Sequence, residues 1–562
     1  MNKRKIFLLF LVLTLVLSSI LTGCGKNNKL DESKADTNEH EEKFNDVEQY
    51  LKVILDDEPS SLDVAKGSDG NSGCILAEVM ESLTRLEQDE NGNDIIQKAG
   101  AESWETSEDG LVWTFHLRDF NWTDGKPVTA EDYVYGVKRT LDPNTASPCA
   151  DLLMPIKNAE AILNGTVEAE KAGIEAVDDK TLKVTLEYPC AYFLSLTYSR
   201  VMQPQRKDII EQHGDTYGTE PETMVFCGPF IIKEWVHNSK VILAKNDSYW
   251  DKDSVKLDKI EMKIIDDENA TMGELLNGSL DIAGVYSAEW TEKLDESGKF
   301  NTSSGFEPTT TYMFFNQEDK LFSNANVRRA FSVALDREKI QKDIFNDTRI
   351  AAYGWIAPPV YIDGENFREK CGDPIKELLE ENKDPKELLI KGLKELGMDE
   401  DPSKITITVL QPSDSNGGKI FGEYLQQELK QKLGINVELE RVEWPVFQDR
   451  TRDLDYQVAY KSWGGGYNDP MSFLELWVSG CTIVRTGWSN EKYDNLIKLA
   501  STSIDSKERL EAFKEAERIL IKDESTIIPY AYWTKNTYMH KNVKGVMCPA
   551  FGDMELKYAY IE

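Results

Sequence analysis

The residues whose types could carry chemistry are few and scattered. Eight cysteines stand in the chain: Cys24, Cys74, Cys149, Cys190, Cys227, Cys371, Cys481 and Cys548. None forms a Cys-x-x-Cys pair, which argues against a zinc knuckle or a dithiol redox centre. The five histidines (His40, His116, His213, His237, His540) show no metal-binding spacing. His116 sits in an alternating apolar run and reads as structural. There is no Gly-x-Ser-x-Gly elbow and no phosphate loop. Acidic residues are spread throughout, so no carboxylate dyad stands out. We therefore expect no catalytic residue, no metal site, no cofactor and no enzyme. One segment stands out by composition, Trp463 with the run Gly464-Gly465-Gly466-Tyr467-Asn468-Asp469-Pro470. Its glycines permit close backbone approach to a ligand, and its aromatic rings offer contact surface.

The elements that must position such a run follow from hydrophobic periodicity. Alternating strands are expected at Leu111–Leu117, Leu182–Leu186, Ile260–Ile264, Ile405–Val409 and Ile435–Leu439. Between them lie helices. Thr129-Ala-Glu-Asp132 carries a capping signature ahead of Val134, Val137 and Leu141. Asn326 is expected to cap a second helix through Leu335, and a third runs near Leu510 to Leu520. Strands mixed with helices over 562 residues read as α/β or α+β lobes, and the length exceeds what one hydrophobic core spans. With 99 Asp+Glu against 65 Lys+Arg and a net charge of −34, a nucleic-acid partner is excluded, because phosphate backbones are bound by clustered Lys and Arg. Electrostatic docking on anionic lipid is disfavoured for the same reason.

The chain starts with Lys3, Arg4 and Lys5, followed by an apolar stretch from Ile6 to Leu17 and then Leu21-Thr22-Gly23-Cys24. A basic start, a short apolar core and small residues describe a secretory signal peptide over 1–23. Its ending resembles the lipobox of bacterial lipoproteins, which implies diacylation and cleavage at Cys24. Acyl chains contribute about 0.8 kcal/mol per buried CH₂, enough together for stable anchoring. Residues 24–46 are polar and short of apolar groups, and are expected to form a tether of roughly 25 Å reach. Without the lipidated residue seven cysteines remain, an odd number, so either at least one free thiol or a host living without much oxygen is expected.

Several segments in order resemble the family-5 extracytoplasmic solute-binding proteins of ABC importers, of the oligopeptide-binding type. They are Trp122-Thr-Asp-Gly-Lys-Pro-Val-Thr-Ala-Glu-Asp-Tyr133, Asp142-Pro-Asn-Thr-Ala-Ser-Pro148, Gly228-Pro-Phe-Ile-Ile-Lys-Glu-Trp235, Lys245-Asn-Asp-Ser-Tyr-Trp250, the stretch from Val327 to Lys339, Tyr467-Asn-Asp-Pro470 and Thr486-Gly-Trp-Ser-Asn490. The resemblance implies a two-lobed, periplasmic-binding-protein-like α/β flytrap (type II, cluster C) with an extra small domain on lobe I. Lobe I would comprise 47–84, 222–308 and 534–562, the extra domain 85–221 and lobe II 309–533.

By the same resemblance the protein is a lipid-anchored subunit that captures an oligopeptide and hands it to ABC permease and ATPase partners, acting as a monomer. It would sit at the outer face of the bacterial cytoplasmic membrane or in the periplasm. Ser72-Gly73-Cys74 matches the lobe I loop whose backbone pairs with the ligand, and Trp463 through Pro470 matches the lobe II segment at the ligand's N-terminal end. Two departures stand out. Gly466 occupies the position where many relatives place an aspartate for the ligand's α-ammonium, and Cys149 replaces an aromatic hydroxyl. Asp469 is then the nearest candidate counter-charge, and a ligand without a free N-terminus is the alternative. The same family implies other ligands for the same fold, and a peptide-pheromone sensor. Trp477 is expected in the core, and Arg450, Arg452 and Lys461 on the surface.

Overall fold

The computed structural model describes residues 47–67, 69–413 and 416–562, leaving aside the side chains at 416 and 417. The leader, Cys24 and the tether lie outside the described residues. The folded body is Glu48–Glu562.

Two long strands, Phe300–Phe315 and Ile527–His540, organise this body. They pair antiparallel with each other along nearly their whole length. At one end Ile527–His540 also pairs with the short strand Ile282–Val285; at the other, Phe300–Phe315 pairs with Val458–Gly464 and Ile527–His540 with Arg349–Ala351. Thr406–Pro412 and Asn436–Val442 complete this seven-stranded sheet in parallel register. The residues of Phe300–Phe315 are partly exposed up to Thr309 and fully buried from Thr310 onward. The pairing shifts register between Phe306 and Thr310. Pro308 sits in that break, where the absence of an N–H does no harm to the ladder. The two strands therefore leave one apolar core, cross a partly exposed stretch and enter another.

The second core gathers Phe315, Phe322 and Phe331 with Leu389, Leu425 and Val458. The other end is built on a four-stranded sheet ordered Tyr50–Leu55, Lys259–Ile264, Lys240–Lys245, Phe230–Val236. A further antiparallel sheet, Ala101–Thr106, Val112–Leu117, Thr181–Thr185, Ile174–Asp178, carries His116 on its second strand and packs helix Ala130–Leu141.

The five alternating runs all form strands within three residues of their expected limits. Helix Ala130–Leu141 has the full capping box between Thr129 and Asp132. One cap is corrected: Asn324, not Asn326, closes helix Ala325–Ala334, its side chain accepting from the backbone N–H of Asn326 and Val327. Asn326 lies one position inside the first turn, where its amide donates to Glu395 instead. All seven cysteines among the described residues are free thiols.

Candidate functional site

Helix Gly70–Val79 brings the first group of candidate residues into place. Asp69 caps it, accepting from the backbone N–H of Ser72 at 2.8 Å and from its hydroxyl at 2.7 Å. Ser60 adds a short hydroxyl hydrogen bond to the same carboxylate. Partial burial opposes ionisation here, but the hydrogen bonds from Ser60 and Ser72 outweigh it and hold the Asp69 carboxyl down at about 2. Ser72, Gly73 and Cys74 thus lie in the first turn of a helix rather than in a loop. The Gly73 N–H already donates to the Asp69 carbonyl, which corrects the expectation of a backbone free to pair with a strand-like ligand. Gly73 lies against the ends of two charged side chains. A Cβ would stand 2.5 Å from Arg200 Nη2 and 3.1 Å from Asp553 Oδ2. Arg200 donates to the Gly67 and Asp69 carbonyls, and the Cys74 thiol donates to Asp553 at 3.3 Å. Burial pushes both the Asp553 carboxyl and the Cys74 thiol up.

The second group leaves strand Val458–Gly464. The Trp463 indole N–H donates to the Ser472 carbonyl, and the Gly465 N–H to the Pro308 carbonyl at 2.7 Å. Gly465 is tightly enclosed, with an added Cβ meeting the Phe473 ring at 2.5 Å. Gly466 is exposed and has nothing within 4 Å of where its Cβ would be. Tyr467 is buried, stacks on Tyr192 with ring centroids 4.3 Å apart, and donates its hydroxyl to Glu475. Asn468 accepts from the backbone N–H of Tyr361.

Asp469 does not offer a spare charge. Its two oxygens accept from Arg509 Nη2 at 2.8 and 2.9 Å, both side chains being 4% exposed. The candidate ammonium partner is therefore already neutralised, a correction that sequence adjacency could not foresee because Arg509 lies forty positions away. Trp477 is in the core, 3% exposed among Tyr312 and Trp355. Arg450 pairs with Glu440 and Asp455, and Arg452 with Asp449, on the surface as expected. Lys461 departs from expectation: it is half-buried beside the cleft.

Around these groups lie adjoining cavities. One of about 190 Å³ has Gly73, Arg200, Gly466 and Asp553 in its wall. A neighbour of about 870 Å³ shares Leu86 and Tyr198 with it, and includes Tyr192, Asn468 and Asp469. A third, about 650 Å³, runs along Ser303–Pro308 and Lys535, with Asp94 in one wall and Arg368 in another. The fourth, about 950 Å³, is reached past Tyr286 and contains Arg349 and Lys461. Lined by polar and aromatic side chains from distant parts of the chain, these adjoining cavities outline a groove. Sequence reasoning missed Arg200, Asp553, Arg349 and Lys535, because none lies in a recognisable motif. Among the described residues no group of three or more His, Cys, Asp or Glu could hold a metal ion.

A two-lobed body with its groove where two long strands cross defines a class of solute-binding clamps. Comparison with known proteins agrees. The model of the bacterial extracellular solute-binding proteins, family 5, matches residues 96–483, and the chain belongs to that family. It is 36% identical to the dipeptide-binding protein DppE of Bacillus subtilis over 550 residues, covering 97% of each chain. It is 34% identical to the oligopeptide-binding protein OppA of the same organism, over the whole of both chains. Among solved structures, the MppA periplasmic murein tripeptide binding protein in its unliganded open form superposes with a TM-score of 0.77 at 28% identity, covering 92% of this chain and 97% of that one.

Proposed function

We propose that this protein is the peptide-capturing subunit of an ABC importer, anchored outside the cytoplasmic membrane by lipids on Cys24. Working as a monomer, it holds an oligopeptide in the groove and delivers it, chemically intact, to permease and ATPase subunits. The observation that carries the reading is the string of adjoining cavities, from Gly73 and Asp553 at one end to Lys461 at the other, in a chain so similar to DppE and OppA along its full length. An extended peptide offers the same backbone donors and acceptors whatever its side chains, and water in roomy pockets completes the remaining hydrogen bonds. The domain limits given above and the roles of Gly73, Cys74, Trp463 and Asn468 as groove residues belong to this proposal. Calorimetric titration of the purified protein with a mixed peptide library tests it. Saturable binding is expected, and none to any peptide, free or N-blocked, refutes it.

A second reading keeps the clamp and changes the ligand. Gly466, which brings no carboxylate to the groove wall, favours a peptide without a free α-ammonium or a non-peptide solute. Installing a carboxylate by Gly466→Asp discriminates. If a missing counter-charge sets the preference, affinity for free-amine peptides rises relative to their N-acetyl forms by roughly tenfold, the worth of one charge-assisted hydrogen bond. An unchanged ratio removes that account.

A further inference from the structure

The turn after strand Val458–Gly464 meets a part of the chain far away in sequence. Tyr467, from that turn, stacks on Tyr192, which follows strand Thr181–Thr185, and both rings are buried. Gly110 packs against Ile504 in the same region: a Cβ on it would stand 3.2 Å from Ile504 Cγ2. Tyr192, Gly110 and Ile504 share the wall of the 870 Å³ cavity with Asn468 and Asp469. This junction therefore borders the groove. On the domain limits proposed above, Gly110 and Tyr192 belong to the extra domain, and Tyr467 and Ile504 to lobe II.

A single carboxyl stands at the centre of the contact. The Tyr467 hydroxyl donates to Glu475 Oε1 at 2.9 Å. Glu475 is half-buried, and among the described residues no cation neutralises it. Across the junction it faces Asp151, Tyr188 and Tyr192. On its own side stand Tyr467, Tyr493 and Asp469, the last held by Arg509. Burial keeps the four tyrosines protonated well above neutral pH, and pushes up the thiol of Cys190, which lies against Asp469. Glu475 itself titrates near neutrality, at about 7. With its proton it is a neutral acceptor for Tyr467. Without it, a sheltered negative charge meets the like charges of Asp151 and Asp469, and burying a charge without a counter-charge is costly. Parting the junction brings water to that charge.

We propose that the Tyr192–Tyr467 junction is a proton-controlled latch on the groove: protonated Glu475 holds the extra domain against lobe II, and ionised Glu475 releases it. Resting on the peptide reading above, capture then takes up a proton, because closure shelters a carboxyl that the open clamp exposes to water. The gain is full below the ordinary glutamate value, is lost as pH rises toward about 7 and is absent above it.

Hydrogen exchange on the full chain reads the latch without a ligand. Between about pH 5.5 and 8.5, with labelling times scaled to intrinsic rates, protection of 188–196 and 465–478 is expected to fall by roughly tenfold or more. The midpoint lies near 7, and helix Ala130–Leu141 keeps its protection throughout. In Glu475→Gln the fall disappears. Tyr467→Phe keeps the ring and removes the hydrogen bond that lowers the carboxyl, so the midpoint moves to higher pH. A flat native profile, a fall that persists in Glu475→Gln, or equal loosening of helix Ala130–Leu141 overturns the latch. Calorimetry with N-acetyltrialanine amide, which carries no titrating group, reads the coupling to capture. Its affinity is expected to be roughly tenfold to a hundredfold weaker at about pH 8 than at about pH 5.5. Titrations in buffers of different ionisation enthalpy should show proton uptake in the native protein and none in Glu475→Gln. Equal uptake in the two overturns the coupling. Failure of every peptide, free or blocked, to bind while the exchange response stands overturns the peptide reading alone.

Discussion

Asp469 and Arg509 bury one carboxylate and one guanidinium side by side, and the pair is structural in its consequences. Removing one partner of a buried pair strands the other, at a cost of about 3–5 kcal/mol. Asp469→Asn is therefore expected to lower the urea midpoint sharply, whereas a mere ligand contact would change affinity and leave stability alone. A few residues further on, Glu475 is a titrating group. Burial raises its carboxyl; the hydrogen bond from Tyr467 opposes this, while Asp469 and Asp151 add to it, so that it stands at about 7. The folded state then holds a proton that the unfolded chain releases at the ordinary glutamate value. Its contribution to stability is fully present below that value and is lost as pH rises through about 7. Glu475→Gln keeps an acceptor for the Tyr467 hydroxyl but does not titrate. Relative to the native protein it is expected to gain on the order of 1–3 kcal/mol between pH 5 and 8. Parallel unfolding curves for the two proteins across that range would refute this.

The helix Gly70–Val79 shows what one element does for the site. Its cap, Asp69, is held at about 2, below its unfolded value. Its contribution is present above that value and is lost as pH falls toward 2. Asp69→Ala is expected to destabilise by about 0.5–2 kcal/mol at neutral pH, with the difference fading in acid denaturation curves near pH 2. The turn after strand Val458–Gly464 makes a paired test of adjacent glycines. Gly465→Ala drives a methyl into Phe473 and is expected to destabilise by roughly 1–3 kcal/mol. Gly466→Ala meets nothing and should stay within about 0.5 kcal/mol of the native protein. Equal denaturation midpoints for the two variants would contradict the packing described here.

At the scale of the molecule, the proposed clamp would bend across the two long strands, whose pairing is interrupted at Glu307-Pro308-Thr309. Two strand crossings near one another form a natural hinge. A ligand bound between the halves adds stability by mass action, about 2.7 kcal/mol at a hundredfold excess over Kd. It should also contract the radius of gyration in small-angle scattering. Stabilisation without contraction would mean a groove that binds but does not close.

The sequence by itself determined the strands, because period-two apolar runs such as Ile260-Glu-Met262-Lys-Ile264 read the same in any context. It determined helix Ala130–Leu141 through a local capping box, and the family through motifs in order. It also showed that Gly466 lacks a carboxylate. Only the tertiary structure decided which charges are free. Asp469 looked available and is taken by Arg509; Lys461 looked like a surface lysine and is sheltered in a cavity with Arg349, more than a hundred positions away. Local patterns depend on neighbours within a turn or a strand, so the chain displays them. The pairing of a charge depends on burial and on partners brought close by folding, and linear order does not contain that distance.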